Sequence, residues 1–364
     1  MIINSISLHN YRGYKKADIN FGKNVNFFIG NNGSGKTNLL EAIYFLALAK
    51  SYKSQDISTI KHETEFARII AKIKAEKDLT SKIIISKIGK KISINNSEIE
   101  KLSDYIGRIK VLAFLPEDMD LIKGPPKNRR YFIDSIIGQI DRNYLIELGV
   151  YRNILKQRNE LLKVISESHK KDFTLLDIYT EQLATSARII VDYRKKFIKN
   201  VNQELTQMYH YLAANDKSCE FTYIPNVDDS ILESIKEKYQ KDLAFKTTGN
   251  GPHRDDYDFF LENNQAKDYA SQGEQRVTIL AIILSIINLL MKENNIKPIL
   301  LLDDVFSELD YLRQNQLVKY LNSTEIQSII TTTSIKDINI NFLKNSKTFT
   351  VKNHVIKEDK FYGQ

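Results

Sequence analysis

Three short stretches of the chain hold residue types suited to handling phosphate. The first is GNNGSGKT, Gly30–Thr37: a glycine, four residues, then Gly-Lys-Thr, between an apolar run and a helical pattern. Gly33 and Gly35 let backbone N–H groups approach phosphate oxygens, and a helix starting there adds its partial positive charge. Gly30, Asn31, Asn32, Ser34 and Asn38 complete the expected nucleotide cradle. Lys36 is placed to meet the β- and γ-phosphates as a point charge, and Thr37 to ligate Mg²⁺.

The second stretch is KPILLLDDVFSELD, residues 297–310. An apolar strand Ile299–Leu302 ends in Asp303, expected to hold Mg²⁺ through its water shell. Asp304 follows, where a carboxylate orients or deprotonates an attacking water. Adjacent acids at a strand end also suit a helix N-cap, so both readings stand. The third stretch, SQGEQR at 271–276, opens the longest apolar run in the chain. Ser271 offers a hydroxyl donor, Gly273 permits close approach, and the helix start offers free N–H groups to an anion. Ser271 and Glu274 fit a plain capping box equally well.

These residues need a scaffold, and the chain patterning supplies one. IINSISLHNYRGYKKADINF alternates like an antiparallel strand pair, and NVNFFIG reads as a buried strand ending at the glycine-rich loop. A helix is expected from about Lys36 to Ala49. FARIIAKIKA and SKIIISKIGKKISIN read as hairpin strands, and RIKVLAFL as another buried one. From Lys127 to about Gln240 the spacing turns helical, and β-like sequence resumes at FKTTGNGPHRDD. At 364 residues, 42% hydrophobic and 27% charged, the chain is globular, with a net charge of +8 and a pI near 9.1 that suit an acidic partner. One cysteine, Cys219, excludes a disulfide framework, and six histidines without ligand spacing argue against zinc. The run Val277–Met291 is expected to be a buried helix, too short for a bilayer, so no membrane partner and a cytoplasmic setting are expected.

A phosphate loop alone does not choose among nucleotide enzymes. SQGEQ, however, resembles the signature motif of the ATP-binding-cassette superfamily. In that family this motif touches the γ-phosphate of ATP held by the opposite subunit. The order ISLHNYRGY, GNNGSGKTNLLEAIYFLA, FLPEDMDLIKGPPKNRRYFID, TGNGPHRDD, SQGEQR and LLLDDVFSELD resembles the RecF family over nearly the whole chain. The resemblance implies an α/β fold: an ATP-binding-cassette, SMC-like P-loop ATPase head (1–120 and 246–364) with an inserted helical arm lobe (121–245). It implies ATP and Mg²⁺ as cofactors, and ATP-driven homodimerisation on DNA at single-strand gaps and duplex junctions, reset by slow hydrolysis. It further implies the partners RecO and RecR, RecA loading, and work in DNA replication, repair and the SOS response. Two related classes fit less well. Tethering SMC-like ATPases need far longer coiled coils, and transporter ATPase subunits carry a glutamine loop and a switch histidine.

Carried onto this sequence, the resemblance gives Lys36 and Asp304 catalytic roles, Thr37 and Asp303 the metal, and Ser271, Gly273 and Glu274 the partner's nucleotide. Asp304 stands where most cassette ATPases carry glutamate, one methylene longer, so hydrolysis is expected to be slow. Ser307–Asp310 matches the loop lining the dimer interface. Glu117 and Asp118 stand where the glutamine loop would be, and Thr332 or Thr333 where the histidine would be. Arg12, in NYRGY, and Arg129 and Arg130, in PPKNRRYF, are candidate phosphate or DNA contacts. His253 and Arg254 precede the signature motif, near the nucleotide or as loop structure.

Overall fold

A computed structural model describes residues 1–75, 77–168, 173–334, 343 and 345–359. The chain divides into two compact units. The first comprises Met1–Met119, Gln207–Lys217 and Ser271–Gln364; the second comprises Asp120–Thr206 and Ser218–Ala270.

In chain order the first unit begins with β1 (Ile2–Tyr11), β2 (Tyr14–Asn20) and β3 (Val25–Ile29), followed by helix α1 (Lys36–Leu48). Then come β4 (Phe66–Lys74), β5 (Leu79–Ser86), β6 (Gly89–Ile94), β7 (Ser97–Glu98) and β8 (Val111–Phe114). Strands β2-β1-β4-β5-β6-β7 form an antiparallel sheet whose alternating pattern turns Ile3, Ile6, Leu8, Ile69, Ile83 and Ile85 inward.

The second unit carries helices α2 (Pro126–Ile140), α3 (Arg142–Ser168) and α4 (Thr174–Ala213), the last of which passes into the first unit from Gln207. It also holds a small antiparallel sheet of β9 (Cys219–Ile224), β10 (Asp256–Leu261) and β11 (Asn264–Gln265). The expected boundary at 245 therefore moves. Because β10 pairs with β9 along its length, residues 246–270 belong to the second unit, which is not purely helical. FKTT is not a strand either: the helix through it ends at Phe245, and strand structure returns only at Asp256.

The chain then returns to the first unit as α5 (Gln272–Asn294), β12 (Ile299–Asp303), α6 (Tyr311–Thr324), β13 (Ser328–Thr332), β14 (Lys347–Lys352) and β15 (Val355–Asp359). Its second sheet has the order β15-β14-β3-β13-β12-β8, parallel from β14 to β8 with β15 antiparallel at the edge. Helix α1 packs on β4 of the first sheet and on β8, β12 and β13 of the second, which explains why it is apolar on nearly every side. Helix α5 is longer than the apolar run suggested, and by length and composition it could cross a membrane. Yet 78% of its most apolar stretch is buried inside the protein, so it is a core helix.

Candidate nucleotide-binding site

Parallel pairing brings the carboxyl ends of five strands to one edge, where ligands of open α/β sheets gather. In register, Asp303 lies beside Thr331, Thr332 beside Ile29, Leu302 beside Phe114, and Ile29 beside Thr350. The residues just beyond these ends are therefore neighbours: Pro116, Asp304, the Gly30–Thr37 loop, and the β14–β15 turn.

The loop needs its glycines. Gly33 and Gly35 have φ of 77° and 114°, left-handed values that favour glycine. A Cβ on Gly30 would fall 2.2 Å from the Val351 carbonyl oxygen. Lys36 is buried, and its ammonium donates to the carbonyls of Gly30 (2.5 Å) and Asn31 (3.1 Å). Burial lowers its pKa, while Asp304 and Asp303 oppose that shift. Thr37 Oγ1 donates to Asp303 Oδ1 at 3.2 Å, and Thr331 Oγ1 donates to the same oxygen.

Asp304 adopts φ 53°, a left-handed conformation that an aspartate tolerates better than most residues. Its backbone N–H donates to Thr331 Oγ1 at 3.0 Å. It stands at the N-cap position of a single turn, Val305–Glu308, but makes no side-chain cap bond, and its Oδ1 is buried without a hydrogen-bond partner. A buried carboxylate oxygen left unsatisfied is costly, and Asp304 lines a cleft of about 300 Å³. Gly33, Gly35, Lys36, Thr37, Pro116, Asp303 and Asp304 are among the residues that line the cleft. Loop N–H groups, one buried lysine, a hydroxyl and two carboxylates match a triphosphate with a divalent cation, so the site fits ATP and Mg²⁺.

At the mouth of α5 the capping-box reading of SQGEQ is present. Glu274 N donates to Ser271 Oγ at 3.3 Å, and Ser271 N donates to Glu274 Oε2 at 2.8 Å, a complete capping box. Lys217 and the Ser271 N–H hold the Glu274 carboxyl down to about 2. Ser271 is nonetheless exposed, and it is not among the residues lining the cleft.

Other candidates are placed differently. Arg12 forms a two-pronged ion pair with buried Glu41 (2.8 and 2.6 Å) beside α1 and also donates to Ser58 O and Ser54 Oγ. Arg129 is buried and committed: it pairs with Asp256 through two bonds (2.7 and 3.0 Å) and donates to the carbonyls of Leu121 and Gly124. It is a structural residue of the second unit rather than a free phosphate contact. Arg130 donates to the Asp255 carbonyl. His253 lies in the second unit, between Tyr151 and the Thr248 carbonyl. Of the three threonines at 331–333, it is Thr331 that reaches Asp303, while Thr332 bonds to Ser334 O. Asp118 accepts from Leu115 N, and desolvation pushes its carboxyl up to about 7.

Two contributors escaped the sequence reading. Tyr14 donates to the Gly35 carbonyl at 3.0 Å, and the His354 N–H donates to Ser34 O at 2.9 Å. The His354 ring stands edge-on to Tyr14 and fills the space beside Gly13 and Gly35. The sequence signal for His354 was the Asn353-His354 pair between two alternating strands, a two-residue turn with φ of 50° and 60°.

A two-sheet unit with a lysine-bearing phosphate loop, paired carboxylates at the end of a parallel strand one removed from it and a capped SQGEQ helix defines an ATP-binding-cassette ATPase head of the SMC-like class. Residues 2–357 match the family described as RecF/RecN/SMC N terminal domain. The chain is 41% identical to the DNA replication and repair protein RecF of Shouchella clausii, covering 98% of this chain and 99% of the relative. It is also 41% identical to the protein of that name from Bacillus cereus, covering 98% of each. The solved structure of the recombination mediator protein RecF with ATP, in the RecFOR pathway, matches with a TM-score of 0.90 at 28% identity, covering 99% of this chain and 98% of that one. An SMC head bound to the C-terminal winged-helix domain of ScpA shares the fold, at a TM-score of 0.57 and 16% identity. The chain belongs to the RecF family.

Proposed function

We propose that the protein is an ATP-driven DNA-binding switch of recombinational repair. ATP joins two heads on DNA at gaps and single-strand/duplex junctions, and slow hydrolysis separates them. Lys36 and the loop N–H groups bind the β- and γ-phosphates, Thr37 and Asp303 position the cation, and Asp304 takes or orients the proton of the attacking water. Bound Mg²⁺ supplies charge neutralisation between the phosphates. Through its kinship with RecF of the RecFOR pathway, the protein is read as working with RecO and RecR to assist RecA loading. Its net charge of +8 suits contacts that are mostly to phosphate and blind to sequence. A single cysteine, buried Cys219, leaves no disulfide within the chain and suits a reducing, cytoplasmic setting.

One observation carries the dimer: the signature serine is exposed at a helix N-terminus and does not line its own subunit's cleft. A helix N-terminus that does not line its own subunit's cleft is suited to a nucleotide on a second copy. The test is the mass in solution with and without Mg-ATP and a short duplex, for the wild type and for Ser271→Arg. The expected result is an ATP-dependent dimer that tightens DNA binding and is lost in Ser271→Arg. A wild type that stays monomeric, or a variant that dimerises normally, reduces SQGEQ to a helix cap.

A further inference from the structure

Arg276 lies on the first turns of α5, in the same helix end as Ser271, and Glu308 ends the single turn that follows Asp304. Arg276 Nε is 2.9 Å from Glu308 Oε2, with the side chains only 29% and 24% exposed. That burial separates the pair from ordinary surface ion pairs, which solvent screens to little effect. The Glu308 carboxyl is pushed upward, first by desolvation; Arg276 opposes the shift, and Asp304 and Asp303 add to it.

The turn bearing Glu308 is otherwise firmly held. Ser307 Oγ donates to the Asp304 carbonyl at 2.8 Å, and Gln314 Nε2 donates to the carbonyls of Phe306 (2.6 Å) and Leu309 (2.9 Å). A second contact joins the same segments: a Cβ on Gly273 would meet Arg313 Nη1 at 3.3 Å, and Arg313 pairs with Asp310 at 3.3 Å. The start of the signature helix and the segment after the catalytic carboxylates thus interlock within one subunit.

We propose that Arg276 is a positioning residue for hydrolysis: by pairing with Glu308 it keeps a third carboxylate from disturbing Asp303 and Asp304. The proposal rests on the nucleotide-switch reading and adds a route by which the signature end acts on the hydrolytic site of its own subunit. Without Arg276, the half-buried Glu308 carboxylate has no cation opposite it and moves toward water, taking with it the turn that begins at Asp304. Asp304 is then displaced from the attacking water, while the phosphate loop and Lys36 still hold the nucleotide. The cost falls on the chemical step rather than on binding.

Steady-state ATP hydrolysis of four full-length proteins tests this: wild type, Arg276→Gln, Arg276→Lys and the double variant Arg276→Gln/Glu308→Gln. In Arg276→Gln, kcat is expected to fall about tenfold with KM nearly unchanged, the signature of a displaced catalytic group rather than a lost binding contact. Arg276→Lys and the double variant are expected to recover most of that loss, because each again removes or neutralises the stray carboxylate. Recovery on adding a second substitution is a coupling that simple damage to the fold does not give. The idea is overturned by a wild-type kcat in Arg276→Gln, by a change confined to KM, or by a double variant no faster than the single one. A wild type that hydrolyses no ATP overturns the switch reading itself, before any variant is compared.

Discussion

Thr37 Oγ1 donates to Asp303 Oδ1 at 3.2 Å, joining the start of α1 to a strand end 266 residues further along the chain. Thr331 donates to the same carboxylate oxygen from the neighbouring strand. Both groups that would hold the cation are therefore bonded to each other, and Thr331 braces Asp303 from the neighbouring strand. Thr331→Val keeps the shape and removes the hydroxyl. Loss of such an outer partner typically costs 10–100-fold in metal affinity. The Mg²⁺ concentration needed for half-maximal ATP hydrolysis is expected to rise about tenfold at fixed nucleotide. An unchanged Mg²⁺ titration would show that Asp303 needs no such support.

The turn at Asn353-His354 bears on the phosphate loop from behind. The His354 ring occupies the space where a side chain on Gly13 or Gly35 would sit, and the residue's backbone N–H donates to the Ser34 carbonyl. His354→Gly empties that space and frees the turn. Nucleotide affinity, read with a fluorescent ATP analogue, is expected to weaken roughly tenfold, because a looser cradle must be ordered on binding. The rate at saturating ATP should hold, since neither Lys36 nor Asp304 touches the ring. Equal affinities in the two proteins would make the turn mere packing.

The residues that meet phosphate and metal were legible because their chemistry fixes both type and spacing. A left-handed loop favours glycine at Gly33 and Gly35, and an acid at the end of an apolar strand such as Ile299–Leu302 is placed to meet a metal. The supporting groups were not legible, because their positions depend on register between distant strands. Thr331 was passed over for its neighbours because only the pairing of β12 with β13 reveals which threonine lies beside Asp303. Arg129 misled for the same reason: a basic cluster near aromatics looks solvent-facing until Asp256 arrives from far along the chain. The short strand β9 was passed over inside a stretch read as helical, although NDKS at 215–218 and Pro225-Asn226 bracket Cys219–Ile224 with turn residues; its pairing with β10 makes it plain.

In the second unit, His253 gives a pH dependence with a definite sign. Its ring is bonded on both nitrogens, to the Tyr151 hydroxyl at 2.6 Å and the Thr248 carbonyl at 3.0 Å. Burial lowers its pKa to about 4. Unfolded, the imidazole takes a proton near its ordinary value of about 6.5; folded, it waits until about 4. Stability from this group is therefore complete above about 6.5 and is lost as pH falls toward 4. The melting temperature of the wild type is expected to drop over that window. His253→Gln, which keeps polar contacts without a titrating ring, is expected to start lower and show a flatter slope. Parallel slopes would assign the acid sensitivity to other groups.

Asp304→Asn separates binding from chemistry. Asparagine tolerates the left-handed backbone at φ 53°, so the substitution leaves the turn intact while removing the only charge on that side chain. A carboxylate that takes or directs the proton of water contributes on the order of 10²–10⁴ in rate, so hydrolysis is expected to fall by at least about a hundredfold. Nucleotide affinity should hold or tighten, because one negative charge beside the γ-phosphate has gone. If closure follows binding, the slow variant accumulates as an ATP-bound dimer, and its DNA complex persists when the wild type's has already decayed. Measuring hydrolysis and dimer lifetime on the same preparation separates the possibilities. A long-lived dimer with slow turnover places Asp304 at the timer. Slow turnover with a short-lived dimer would mean that closure is released by something other than hydrolysis. Undiminished turnover would move the proton acceptor away from Asp304, leaving its buried, unpartnered oxygen to be explained by the cation alone.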